Sequence, residues 1–255
     1  MQDLVFAIDD MFYPQIIAAG KDYVVAYKPP FMHSAPVRTS VKDNFLDWCC
    51  VRFLEIAVLP GRRVGEGGLL HRLDYETHGI MLLARTESGM KNLLVQQKDG
   101  KIIKEYSALA APPKEKLPGF PKTVPSFSDN TNDPHRIISA FRPYGPGRKS
   151  VRPVVLDIQS DVRLDEDKEK RPYVTEILKT DYLPSGIVSF RLSIFRGFRH
   201  QIRCHLAWHG TPILNDDLYG GREDGNVLLA LRAVSLTFNE PVTEKKVKFA
   251  IPELM

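Results

Sequence analysis

Short apolar runs broken by turn-forming residues dominate this chain and predict mostly β-structure. YVVAY at 23–27, GIMLLA at 79–84, KIIKEYSALAA at 101–111, VLLALRAVSLTF at 227–238 and KKVKFAIP at 245–252 have the length and the β-branched or aromatic content of strands. VTEIL and VSFRLSIF flank Pro184, Ser185 and Gly186 and predict a hairpin. In KIIKEYSALAA, Lys104 and Tyr106 are two apart, so a strand points both to one face.

Helical spacing interrupts this pattern three times. Val41, Phe45, Trp48, Cys49 and Phe53 predict a helix opened by Ser40, with Asp43 three residues on as a capping-box-like partner. Thr86 caps a helix whose Met90, Leu93 and Leu94 share a face and whose end is marked by Gly100. HQIRCHLAWHG reads as a short helix closed by Gly210. Residues 112–152 are rich in proline and weak in periodicity, which predicts a long loop or insertion. With no internal repeat, these elements predict one α+β domain over residues 1–255, built on a mixed, mainly antiparallel sheet.

Composition adds bounds. With 43% hydrophobic and 26% charged residues over 255 positions, the chain can bury a sizeable core. No apolar run reaches the roughly 20 residues of a membrane-spanning helix, and the N-terminal MQDLVFAIDDMF has acids where a signal peptide carries lysines, so the expected location is the cytoplasm. Cys49, Cys50 and Cys204 cannot all pair and read as reduced thiols. The net charge of +4 is compatible with a polyanionic partner without requiring one.

Two segments carry candidate chemistry. HRLDYETHGIMLLA, residues 71–84, sets Asp74 beside Arg72 on a loop entering a buried strand, where a scaffold presents reactive groups. Taken alone, such an Asp is a surface ion pair or a turn former. The second segment is RGFRHQIRCHLAWHGTPILNDDLYG, residues 196–220. Together they resemble the two signature blocks of the RluA-type pseudouridine synthases, HRLD followed by Thr and Gly, and GRTHQIR leading into HL, HP, GD and YG.

The resemblance covers about Tyr23 to Pro252 and implies an α+β catalytic domain, a curved sheet in two halves around a basic cleft. It implies isomerisation of uridine in ribosomal or transfer RNA by a chain acting without cofactor or metal, expected as a monomer and without the family's N-terminal S4 module. Asp74 matches the catalytic aspartate, Arg203 its facing arginine, and Tyr106 in the KEY segment the tyrosine that stacks on the target base. Ile202 and Leu218 would be apolar walls of the base pocket. Arg72 would fill the space left by a flipped base, and Lys28, Arg62, Arg63, Arg196, Arg199 and Arg222 are candidates for RNA backbone contacts. Tyr75, Glu76 and His78 depart from the family pattern, as does GFRH, which shifts an arginine by one place and leaves its contact open.

Other readings are weaker. His205 and His209 are four apart with Asp216 and Asp217 following, but this is half a zinc site without the accompanying glutamate. His200 and His205 are expected to support the fold by hydrogen bonds. A glycoside hydrolase would need Asp74 and Glu76 across a sugar pocket, which their spacing does not suggest. A non-catalytic RNA-binding relative would have lost Asp74, Tyr106 or Arg203, and all three are present.

Overall fold

The computed structural model describes residues 3–37, 43–62, 64–113, 115, 117–123, 135–155 and 172–254. The chain forms two compact units, one of residues 1–106 and 231–255, the other of residues 107–230. Local pattern cannot reveal that a C-terminal segment rejoins the N-terminal part.

In the first unit the strands are β1 (Asp3–Val5), β2 (Gln15–Ala19), β3 (Tyr23–Lys28), β4 (His78–Ala84), the start of β5 (Ile103–Ala110), β10 (Leu231–Asn239) and β11 (Lys246–Ala250). β3 pairs antiparallel with both β2 and β4, β10 pairs antiparallel with β11, and the parallel pairings are β4 with β10 and β1 with β11. All residues of β3 and β4 are buried, as their unbroken apolar runs require of strands covered on both faces. Tyr23, Val25, Tyr27, Ile80, Leu82, Val234, Leu236, Phe238 and Phe249 belong to one core.

Helix α1 (Phe45–Arg52) starts later than expected. Asn44 caps it, its side-chain oxygen accepting from the Asp47 amide, while Ser40 lies outside the described residues. An Asn oxygen three residues ahead of a free amide serves the same purpose as the expected Ser, satisfying one of the orphan donors of the first turn. Helix α2 (Glu87–Lys98) follows its prediction: Thr86 accepts from the Gly89 amide, and Gly100 turns the chain at φ 70°.

In the second unit, β6 (His135–Tyr144) pairs antiparallel with both β7 (Ser150–Val154) and β8 (Tyr173–Tyr182), and β8 pairs antiparallel with β9 (Val188–Ile194). The β6–β7 hairpin corrects the expected loop at 112–152; residues 114, 116 and 124–134 of that stretch lie outside the described residues. The prolines misled because Pro143 and Pro153 lie within these two strands themselves, where proline is read as a breaker. The β8–β9 turn falls at Pro184–Gly186 as predicted, with Ser185 and Gly186 both at positive φ. Helix α3 (Gln201–His209) ends at Gly210, whose φ of 93° places it in the left-handed region a C-cap uses.

Candidate active site

Asp74 sits half-buried on the loop that runs into β4, and both of its neighbours are tied down through their backbones. Before it, the Ser34 hydroxyl donates to the Leu73 carbonyl at 2.7 Å and accepts from the Leu73 amide at 3.0 Å. After it, the Lys28 ammonium reaches the Tyr75 carbonyl at 3.4 Å while bonding the Pro29 and Met32 carbonyls at 2.8 Å each. Lys28 ends β3 opposite Gly79, so its stem enters the core directly beneath the loop. Gly79 is required there: at φ 131°, an added Cβ would stand 2.2 Å from the Ala233 carbonyl oxygen on β10.

Lys28 was expected on an RNA surface, and its burial corrects that expectation. Desolvation pushes its ammonium down to about 7, with the negative charges of Asp74 and Glu76 acting in the opposite direction. A cation buried at this depth requires polar partners, and three carbonyls supply them. Sequence reading also passes over Ser34; a lone small polar residue after Pro-Pro-Phe-Met-His gives no signal of the backbone it will meet.

Tyr106 is buried in the middle of β5 and is the last residue of that strand counted in the first unit, and burial first, then the negative charge of Asp74, pushes its phenol up, so it keeps its proton at neutral pH. Lys104, on the same face as predicted, is pushed down to about 8 by burial and by Arg62. His71 is pushed down to about 3, chiefly by burial, and is a neutral ring whose Nε2 accepts from the Leu82 amide. The departure at His78 has a local reason, since its Nε2 accepts from Arg232 at 2.9 Å across the β4–β10 pair.

In the second unit, Arg203 and Asp216 form a buried two-pronged ion pair, Nε to Oδ2 and Nη2 to Oδ1 both at 2.8 Å, with side chains 4% and 0% exposed. From sequence, Asp216 reads only as a metal-ligand candidate. Its pairing with Arg203 arises across a helix and a loop, which no spacing rule reports. His205 is bonded at both ring nitrogens, to Thr175 at 2.8 Å and to Ser139 at 2.9 Å, and burial pushes it down to about 3. His200 bonds the Tyr219 hydroxyl, and His209 the Thr211 hydroxyl. Among the described residues, no group of three or more His, Cys, Asp or Glu is placed to hold a metal ion.

The GFRH segment makes specific contacts. Phe198 stacks on Phe141 at 4.9 Å and packs on Tyr173, while Arg199 donates to the Arg148 and Ser150 carbonyls and so ties α3's approach to the β6–β7 hairpin. Of the other basic candidates, Arg222 donates to the Ser185 carbonyl, Arg62 to Gln97, and Arg196 lies over the Tyr173 ring. Arg72 is 54% exposed beside Glu66 at 3.4 Å, and Arg63 lies outside the described residues. Ile202 is buried in α3, and Leu218 packs on Val151, Cys204 and Tyr219.

Comparison with known proteins gives the same direction throughout. The family model described as RNA pseudouridylate synthase matches residues 22–208. Ribosomal large subunit pseudouridine synthase D of Vibrio vulnificus is 26% identical over 264 residues, covering 98% of this chain and 66% of that protein. An uncharacterized RNA pseudouridine synthase of Bacillus subtilis, YjbO, is 27% identical over 241 residues, covering 93% of this chain and 71% of that protein. The solved human RNA pseudouridylate synthase domain containing 1 aligns with a TM-score of 0.59 at 20% identity, covering 96% of this chain and 86% of that one, a likeness of fold. The chain therefore spans just under two thirds of the Vibrio protein's length.

Proposed function

Since the chain belongs to the RNA pseudouridylate synthase family, we propose that it isomerises uridine to pseudouridine in ribosomal or transfer RNA, with Asp74 as the reacting carboxylate. The observation that carries this reading is the mounting of Asp74, half-buried, fixed on both flanks by Ser34 and Lys28, and within electrostatic range of the protonated Tyr106. A carboxylate whose backbone cannot drift is suited to meet C1′ or C2′ of a bound sugar in one orientation.

The reaction breaks the N1–C1′ bond, turns the uracil while it is held, and forms a C5–C1′ bond. The C5 proton is lost and N1 gains one, so no electrons change hands and no cofactor is called for. Asp74 acts as a nucleophile at C1′ or a base at C2′. Tyr106 offers an apolar ring face to the uracil and a phenol that stays protonated. Arg203 is proposed as a cation of the site, with Asp216 fixing its guanidinium plane. Ile202 and Leu218 are proposed as walls of the base pocket. The target nucleotide leaves its stack at a cost of a few kcal/mol, and exposed Arg72 is proposed to occupy the space it vacates. Arg62, Arg63, Arg196, Arg199 and Arg222 are proposed backbone contacts, in which the bonds of Arg199 and Arg222 to loop carbonyls would orient their remaining donors.

The test uses the full chain and ribosomal and transfer RNA tritiated at uridine C5. Tritium release together with pseudouridine in the digested RNA, both absent with Asp74→Asn, is the expected result. RNA binding without either product would leave a binding protein of this fold.

A further inference from the structure

Three aromatic side chains gather at the surface beside Asp74. Phe31 and Tyr75 are each 42% exposed, their ring centroids 6.0 Å apart, and His33 lies 4.7 Å from Tyr75 on its other contact. Tyr75 directly follows Asp74. Phe31 has φ 57°, the left-handed region that bulky L residues avoid, so its ring is held out to solvent on a backbone better suited to glycine. Neither burial nor a helix cap accounts for a large aromatic there. The mounting is rigid: the Lys28 ammonium bonds Pro29 and Met32 on either side of Phe31 and reaches Tyr75, and Ser34 bonds Leu73. The same two side chains that fix Asp74 therefore fix the rings.

We propose that Phe31, Tyr75 and His33 form a stacking platform for an unpaired RNA base next to the target uridine, and so select uridines in loops or single strands. The inference rests on the isomerase reading for its ligand. Flat aromatic faces beside a carboxylate reserved for one nucleotide suit the neighbouring base, because every base has a π-face and a base displaced from its stack needs a new one.

The probe is a stem-loop oligoribonucleotide with 5-iodouridine beside a loop uridine, photo-crosslinked to the full chain in both the parent and the Asp74→Asn form. Adducts mapped to Phe31 or Tyr75 are expected. Phe31→Gly with Tyr75→Leu should remove them and weaken binding about tenfold or more, and leave the melting temperature at or near that of the parent. Tyr75→Phe alone should behave as the parent. Parent-like affinity and adducts in the double variant would overturn the platform, as would failure of the parent to bind the probe. A double variant whose sedimentation changes without RNA would mark the patch as a self-association face, which also overturns it. Adducts at these residues with no pseudouridine formed in any RNA would instead defeat the isomerase reading and leave the platform standing.

Discussion

Around Asp74, order is imposed through the backbone. Ser34 and Lys28 bond the main chain of the residues on either side, and the aromatic rings alongside stay exposed. Around Arg203, order is imposed by buried side chains that bond one another: a guanidinium closed on Asp216, and an imidazole closed on Thr175 and Ser139. The first plan holds a group in place while leaving surface for a ligand. The second builds a fixed charge distribution that changes little when anything binds. Both lie in blocks that a sequence comparison marks equally, so resemblance alone does not reveal this division between a presented group and a scaffolded one.

The largest effect that could break this contrast is on chemistry. Asp74→Asn should lose pseudouridine formation to background while the fold and RNA affinity stay near those of the parent, since the change is isosteric. Turnover within about tenfold of the parent by tritium release would refute its role as the reacting group, because an essential group is worth far more than the roughly 1.4 kcal/mol of one decade. EDTA should alter neither quantity.

On the scaffolded side the largest effect is on stability. Removing one partner of the buried pair with Asp216→Ala should cost about 3–5 kcal/mol in denaturant unfolding, because Arg203 is left charged and buried. Replacing Glu66, the partner of exposed Arg72, with Ala should cost no more than about 1 kcal/mol. Equal losses in the two experiments would erase the distinction between the regions.

A pH dependence sharpens it further. His205 titrates near 6.5 when unfolded and is held down to about 3 by burial. Its contribution is therefore fully present above pH 6.5 and is lost as pH falls towards 3, where the unfolded chain binds the extra proton. The unfolding free energy should decline through that window, and His205→Gln should flatten the decline even if it lowers stability at neutral pH. A slope unchanged by the substitution would assign the acid sensitivity elsewhere, with His71 and His78, both held down to about 3, the next to test.

The smallest effect concerns the basic residues. Arg62→Ala combined with Arg63→Ala should weaken RNA binding and flatten the dependence of log K on log salt by up to about 2, one for each phosphate no longer neutralised. Single-turnover rate at saturating enzyme should stay put. An unchanged slope would confine Arg62 to its bond with Gln97.

Local pattern determined much of this protein. The unbroken apolar run of β4, the Thr86 cap and Gly100 end of α2, the shared face of Lys104 and Tyr106, and the β8–β9 turn were all legible, because each depends on residues within a few positions of one another. So was the loop position of Asp74. Tertiary structure alone decided that Lys28 is a buried anchor rather than a surface cation, since its burial and its reach to the Tyr75 carbonyl, 47 residues away, arise only in the closed chain, while its other two carbonyl partners, Pro29 and Met32, belong to the turn that follows it. It alone gave Arg203 the carboxylate of Asp216, put Ser34 under Leu73, and made strands of the proline-bearing segments at 135–154. Periodicity reports which face of an element is apolar. The energy of a buried charge depends on which distant polar groups arrive beside it, and that is fixed only when the chain closes on itself.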